Sequence, residues 1–230
     1  MSFPEDPKSI IIKNSFYPKG LTEENIYTYY QSVKSDILKQ VINRKVFFFL
    51  FIDTNDYIVR RKGAGQIPYQ LTMDNYDKTI TGRTVSIVST MNNKENFGII
   101  DIDSKDFEKA KETTCLVYDF ILNNYDNVLD IRFTGKSSFH IIVHYKSNLN
   151  INDIRLNLRK MILNSKLTET NNITLNYKRT PIAPNIDLSP NKLNGGFITL
   201  YSLSQIGLKC SNISRSDIMK IKKEDFKIKV

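Results

Sequence analysis

Between Phe97 and Asp103 the chain runs Phe-Gly-Ile-Ile-Asp-Ile-Asp, an apolar stretch ending on two carboxylates separated by one residue. Side chains of a β-strand alternate between its faces, so Asp101 and Asp103 are predicted to share one face while Ile100 and Ile102 point into a core. Such a strand needs partners, and the next residues supply them. Ser104 or Asp106 is a predicted N-cap for a helix reaching about Asn123, with Phe107, Ala110, Thr114, Val117 and Ile121 inward. Val128 to Phe133 and Phe139 to Tyr145 read as strands flanking the small polar turn Thr134-Gly135-Lys136-Ser137-Ser138.

Strand, helix, strand, strand is the order of half an RRM-like α+β layer. A second helix is expected over Ile151 to Leu163, and the polar run Asn164 to Asn176 reads as a loop. Upstream, Ser9 to Lys13 is a short strand. Thr22 caps a helix carrying Ile26, Tyr30, Val33, Ile37 and Val41 as one apolar stripe. Lys45 to Ile52 and Tyr57 to Arg60 form a hairpin, and Ser86 to Ser89 and Phe197 to Tyr201 are further strands. With no linker or repeat in sight, residues 1–230 are expected to form a single catalytic-type domain of two closely packed lobes. The first spans about 1–90, the RRM-like lobe about 91–215, and a basic tail follows.

The chain carries a formal charge of +9, which favours polyanionic partners through counterion release. Arg60-Arg61-Lys62, ahead of Gly63-Ala64-Gly65, is either a solvated loop or a phosphate-contacting one. The two cysteines, Cys115 and Cys210, cannot build a four-cysteine zinc site or a disulfide framework. No apolar run approaches the roughly 20 residues that span a bilayer. The N-terminus lacks the layout of a signal peptide, so an intracellular protein with no membrane partner is expected.

Ile186-Asp187 adds a third carboxylate after an apolar residue. If the fold brings Asp187 beside Asp101 and Asp103, the three form a cradle of hard oxygen ligands for Mg2+ or Mn2+. Two such ions can clamp the attacking and leaving oxygens of a phosphoryl displacement. Lys136, Ser137, Ser138 and the backbone amides of their turn can wrap a triphosphate, with His140 offering a hydrogen bond or proton. Each feature alone has a plainer reading: a surface acid pair, or a histidine on a strand face. His144, further along the strand, is read as structural.

Three segments together carry a resemblance: Phe97 to Asp103, then Ser138-Phe139-His140, then Ile186-Asp187. In that order they resemble the three motifs of the archaeo-eukaryotic primase superfamily. Phe16-Tyr17-Pro18-Lys19-Gly20-Leu21-Thr22, Tyr29-Tyr30 and Asn43-Arg44-Lys45-Val46 are similar to the opening of bacterial end-joining polymerase domains of the ligase D type. Asp187-Leu188-Ser189-Pro190-Asn191 and Leu200-Tyr201-Ser202-Leu203 are similar to the closing motif of that group.

The resemblance covers roughly Ile10 to Ser214 and implies an α+β primase-polymerase core with mixed and antiparallel sheets. It implies a template-directed nucleotidyltransferase, acting in DNA replication or repair, that joins nucleoside triphosphates (NTP or dNTP) on a single-stranded or primed DNA template. Asp101, Asp103 and Asp187 would be the catalytic, metal-binding residues, with two Mg2+ or Mn2+ ions. Thr134, Lys136, Ser138 and His140 would hold the nucleotide. Ser204 stands where the family's closing motif carries Arg, and Lys209 or Arg179 can replace that contact. A helicase, ligase or end-binding protein encoded separately would be the protein partner. Two other readings keep the same residues: a nucleic-acid-binding module without catalysis, and a metal-dependent phosphoesterase.

Overall fold

The structure is a computed structural model that describes residues 11–13, 21–53, 57–61, 69–175, 183–204 and 206–228, with the backbone alone at 11–13, 51–53 and 57–61. The chain divides into two compact units. Met1–Thr90, Gly196–Cys210 and Lys223–Val230 make one, and Met91–Gly195 with Ser211–Lys222 make the other.

The first unit is organised on β2 (Lys45–Asp53), whose Val46, Phe48 and Leu50 alternate into a buried cluster. It pairs antiparallel with β3 (Tyr57–Arg61), β4 (Tyr69–Gln70) and β5 (Thr84–Thr90). β1 (Ile11–Lys13) and β11 (Gly196–Ile198) complete the order β1-β3-β2-β5-β11. The helices α1 (Glu23–Ser32), α2 (Lys34–Val41) and α3 (Met73–Thr79) contribute Ile26, Tyr30, Ile37, Val41 and Tyr76 to the cluster. Removing each such side chain from water contributes about 1.5–3 kcal/mol. Thr22 is the N-cap of α1, accepting from the Asn25 N–H while the Asn25 carboxamide accepts from the Thr22 N–H.

Two expectations are corrected here. The stripe from Ile26 to Val41 is divided between two helices, because Val33 leaves helical geometry at φ −109°, ψ 10°. Residues 196–210 belong to the first unit, not to a lobe reaching residue 215. Their attachment to β5 is polar as well as apolar: Ser86 donates to the Leu203 carbonyl at 2.7 Å, and the Ile87 N–H donates to the Ser202 hydroxyl at 2.7 Å.

The second unit centres on β6 (Lys94–Asp103), followed by α4 (Phe107–Asn124), β7 (Leu129–Phe133), β8 (Phe139–Asn150) and α5 (Ile151–Ser165). Then come α6 (Leu167–Thr170), β9 (Thr174–Leu175) and β10 (Asn185–Asp187), with β12 (Ser211–Ile213) added later. The run read as a loop from Asn164 to Asn176 thus contains α6 and β9. Sheet order is β12-β7-β8-β6-β10-β9, antiparallel except for β9 against β10.

Within it, β10-β6-β8-β7 is the 4-1-3-2 order of a βαββαβ, RRM-like layer. Asp106 caps α4, accepting from the N–H groups of Glu108 and Lys109. Ala110, Thr114, Val117 and Ile121 are buried along that helix, as are Ile154, Leu158 and Ile162 along α5. α5 lies so close to β6 that a Cβ on Gly98 would sit 2.6 Å from Ile154 and 2.8 Å from Leu158. Any larger residue there would have to push these two side chains aside. Arg215 fastens the 211–222 segment by paired hydrogen bonds to Asp119 on α4, at 2.8 and 2.5 Å. The fold is α+β. Among the described residues, no helix is long and apolar enough to cross a membrane.

Candidate active site

The Gly98 face of β6 meets α5, so alternation puts Asp101 and Asp103 on the other face of the sheet. β10 delivers the third acid by register: Asp187 pairs with Asp101, Ile186 with Ile102 and Asn185 with Asp103. Cross-strand partners share a face, and one oxygen from each of Asp101, Asp103 and Asp187 lies within 4.8 Å of the others. All three are half-buried. Three carboxylates this close repel one another, and a divalent cation relieves that repulsion. The donor set is all carboxylate oxygen, which fits Mg2+ or Mn2+ and not a soft metal.

The registers extend the row in the other direction. Asp101 is opposite His140 on β8, and His140 is opposite Arg132 on β7. His140 is 4% exposed, and its Nε2 lies 3.6 Å from an Asp101 oxygen. That distance is beyond a hydrogen bond. Burial, with the Arg132 guanidinium adding to it, pushes the His140 pKa down to about 3. The ring is neutral at pH 7, so the contact with Asp101 is not an ion pair. Among the described residues, its buried Nδ1 has no hydrogen-bond partner.

The turn between β7 and β8 is closed by Thr134, whose N–H and hydroxyl both donate to the Ser138 carbonyl, at 3.1 and 3.0 Å. Gly135 takes the left-handed backbone, φ 92°, that this reversal requires. Lys136 is exposed at the tip. The Ser137 hydroxyl is buried and donates to the Ser104 carbonyl at 2.6 Å. The Ser138 hydroxyl donates to Asp103 at 2.8 Å. Of the side chains read as a phosphate cradle, only Lys136 thus projects as an exposed cation.

The fold assembles Asp101, Asp103, Asp187, Ser138 and His140 in one unit. Lys209 belongs to the first unit, as do Arg60 and Arg61, whose backbone lies in β3. Lys62 and Arg179 lie outside the described residues. The sequence reading gave no role to Ser189 or Arg132. Asp187-Leu188-Ser189 has the spacing of a local Asp–Ser turn, which was a usable signal. Arg132 had none, since its neighbour is set by strand register alone.

No protein-family model matches the chain, and no curated protein matches it either. Among solved structures, the chain is similar to the polymerase domain of Mycobacterium tuberculosis ligase D, determined in complex with DNA. The TM-score is 0.71 at 11% identity, over 90% of this chain and 85% of that one. The chain has the fold of that polymerase domain. At such identity the likeness is one of fold, and the chemistry must be argued from the residues themselves.

Proposed function

We propose that this chain is a template-directed nucleotidyltransferase of the primase-polymerase type, extending or starting a strand from nucleoside triphosphates on DNA. The observation that carries the reading is the convergence of Asp101, Asp103 and Asp187 from β6 and β10 within 4.8 Å. It occurs in a fold shared with a DNA-bound polymerase domain. Asp101, Asp103 and Asp187 would hold Mg2+ or Mn2+, which when bound neutralises charge at the entering and leaving oxygens of phosphoryl transfer.

The chain's own residues supply the rest. Lys136, the exposed cation at the tip of the turn, attracts the triphosphate, and the neutral His140 ring borders Asp101 without adding a charge that would compete for the acids. The net charge of +9 and the Arg60-Arg61-Lys62 run support binding along a nucleic-acid backbone.

The test is incorporation of labelled nucleotide by purified protein with Mn2+ or Mg2+, on single-stranded template with and without a primer. Asp101→Asn with Asp103→Asn should abolish incorporation and leave the melting temperature unchanged or slightly raised, since crowded like charges are removed. Incorporation at the wild-type rate in the double variant overturns the assignment.

A further inference from the structure

Asp187 and Asp103 do not hang freely from their strands. Ser189 donates its backbone N–H to one oxygen of Asp187 and its hydroxyl to the other, each at 2.7 Å. Ser138 donates its hydroxyl to Asp103 at 2.8 Å. Both serines are themselves fixed. The Ser138 carbonyl is gripped twice by Thr134. The turn that carries Ser189 is anchored by Asn191, which is fully buried. Its carboxamide accepts from the Ile99 N–H at 2.8 Å and donates to the Ile99 carbonyl at 2.6 Å and to the Leu188 carbonyl at 3.1 Å. Asn191 therefore hydrogen-bonds to the β6 backbone two residues before Asp101, beyond the end of β10.

We propose that Ser189 and Ser138 are positioning residues that aim the Asp187 and Asp103 carboxylates into the metal cradle. The inference rests on the reading of Asp101, Asp103 and Asp187 as metal ligands. A carboxylate has about four lone-pair sites, so one or two donated hydrogen bonds leave sites for a metal while removing rotational freedom. Without the hydroxyl, the carboxylate must be ordered at the moment the ion binds, and affinity falls. For Ser138 this also replaces a phosphate contact with a role on the acid beside it.

The experiment is Mn2+ titration of the nucleotide-free protein, with free Mn2+ read by electron paramagnetic resonance. Ser189→Ala and Ser138→Ala should each weaken Mn2+ binding by about 10- to 100-fold, the range for removing a group that orients a metal ligand. Ser189→Thr and Ser138→Thr keep the hydroxyl and should bind within a few-fold of wild type. In the incorporation assay, the alanine variants should need more metal yet approach the wild-type rate when metal saturates. Mn2+ affinity in both alanine variants equal to wild type overturns the proposal. So does a loss that threonine fails to restore in variants whose melting temperature is unchanged. The underlying reading fails separately: Asp101→Asn with Asp103→Asn would then bind Mn2+ as tightly as wild type. Should one alanine variant not fold, the other serine carries the same comparison.

Discussion

His140 and His144 lie four residues apart on β8, His140 near its start and His144 towards its middle, and each lies beside an aspartate. His140 is 4% exposed with Asp101 at 3.6 Å, next to Asp103 and Asp187. His144 is about one-third exposed and meets Asp130 at 2.8 Å, with Phe97 stacked obliquely 6.4 Å away. The closer pair is the exposed one, and the more distant pair holds an enclosed ring whose pKa burial pushes down to about 3. For His140, burial outweighs the neighbouring aspartate in setting the state of the ring. It makes the start of β8 a place where charge is disfavoured, while His144 stands at a more exposed position further along the strand.

The sharpest way to break that contrast is to remove each ring in turn. His140→Ala should slow nucleotide incorporation on the order of 100- to 1000-fold, the cost of losing one preorganised group beside developing charge. His144→Ala should leave the rate within a few-fold of wild type. Single-turnover incorporation at saturating metal measures both, and a reversed pattern would mean that the chemistry sits beside His144.

A second test uses protonation in metal-free buffer. The folded His140 pKa of about 3 lies below the ordinary 6.5, so the unfolded chain takes up this proton first as pH falls. The stability that comes from keeping the ring neutral is complete above about pH 6.5. It is lost progressively as pH drops towards 3. His140→Gln removes that proton from the balance. The wild-type melting temperature should therefore fall more steeply between pH 7 and 4 than that of the variant. Parallel curves would show that the ring is not held neutral.

Much of the site around His140 was legible in the sequence, because its logic is local. The alternation in Ile100-Asp101-Ile102-Asp103, the Asp106 cap and the turn at Gly135 are each written within a few residues. What escaped depends on register or on strand pairing across long separations. Arg132 sits beside His140 because β7 pairs with β8, and Ser202 serves β5 from more than a hundred residues away. The break at Val33 escaped for another reason: the stripe from Ile26 to Val41 continues through it without Pro or Gly to mark the change. Ser138 and Ser137 were legible as polar turn residues, but which way each hydroxyl turns is decided by Asp103 and the Ser104 carbonyl, more than thirty residues upstream.

The smallest expected effect belongs to the His144–Asp130 pair. Asp130→Asn removes the charge facing His144 while keeping the size of the side chain. Both side chains are more than a third exposed, at 37% and 54%, so water and salt already screen their attraction. An exposed pair of this kind contributes no more than about 1 kcal/mol. Denaturant unfolding of Asp130→Asn should therefore show at most that loss, shrinking further at high salt, with incorporation unchanged. A larger loss that persists in salt would mean that the His144–Asp130 pair is shielded from solvent, and the contrast in burial between the two histidines of β8 would fall.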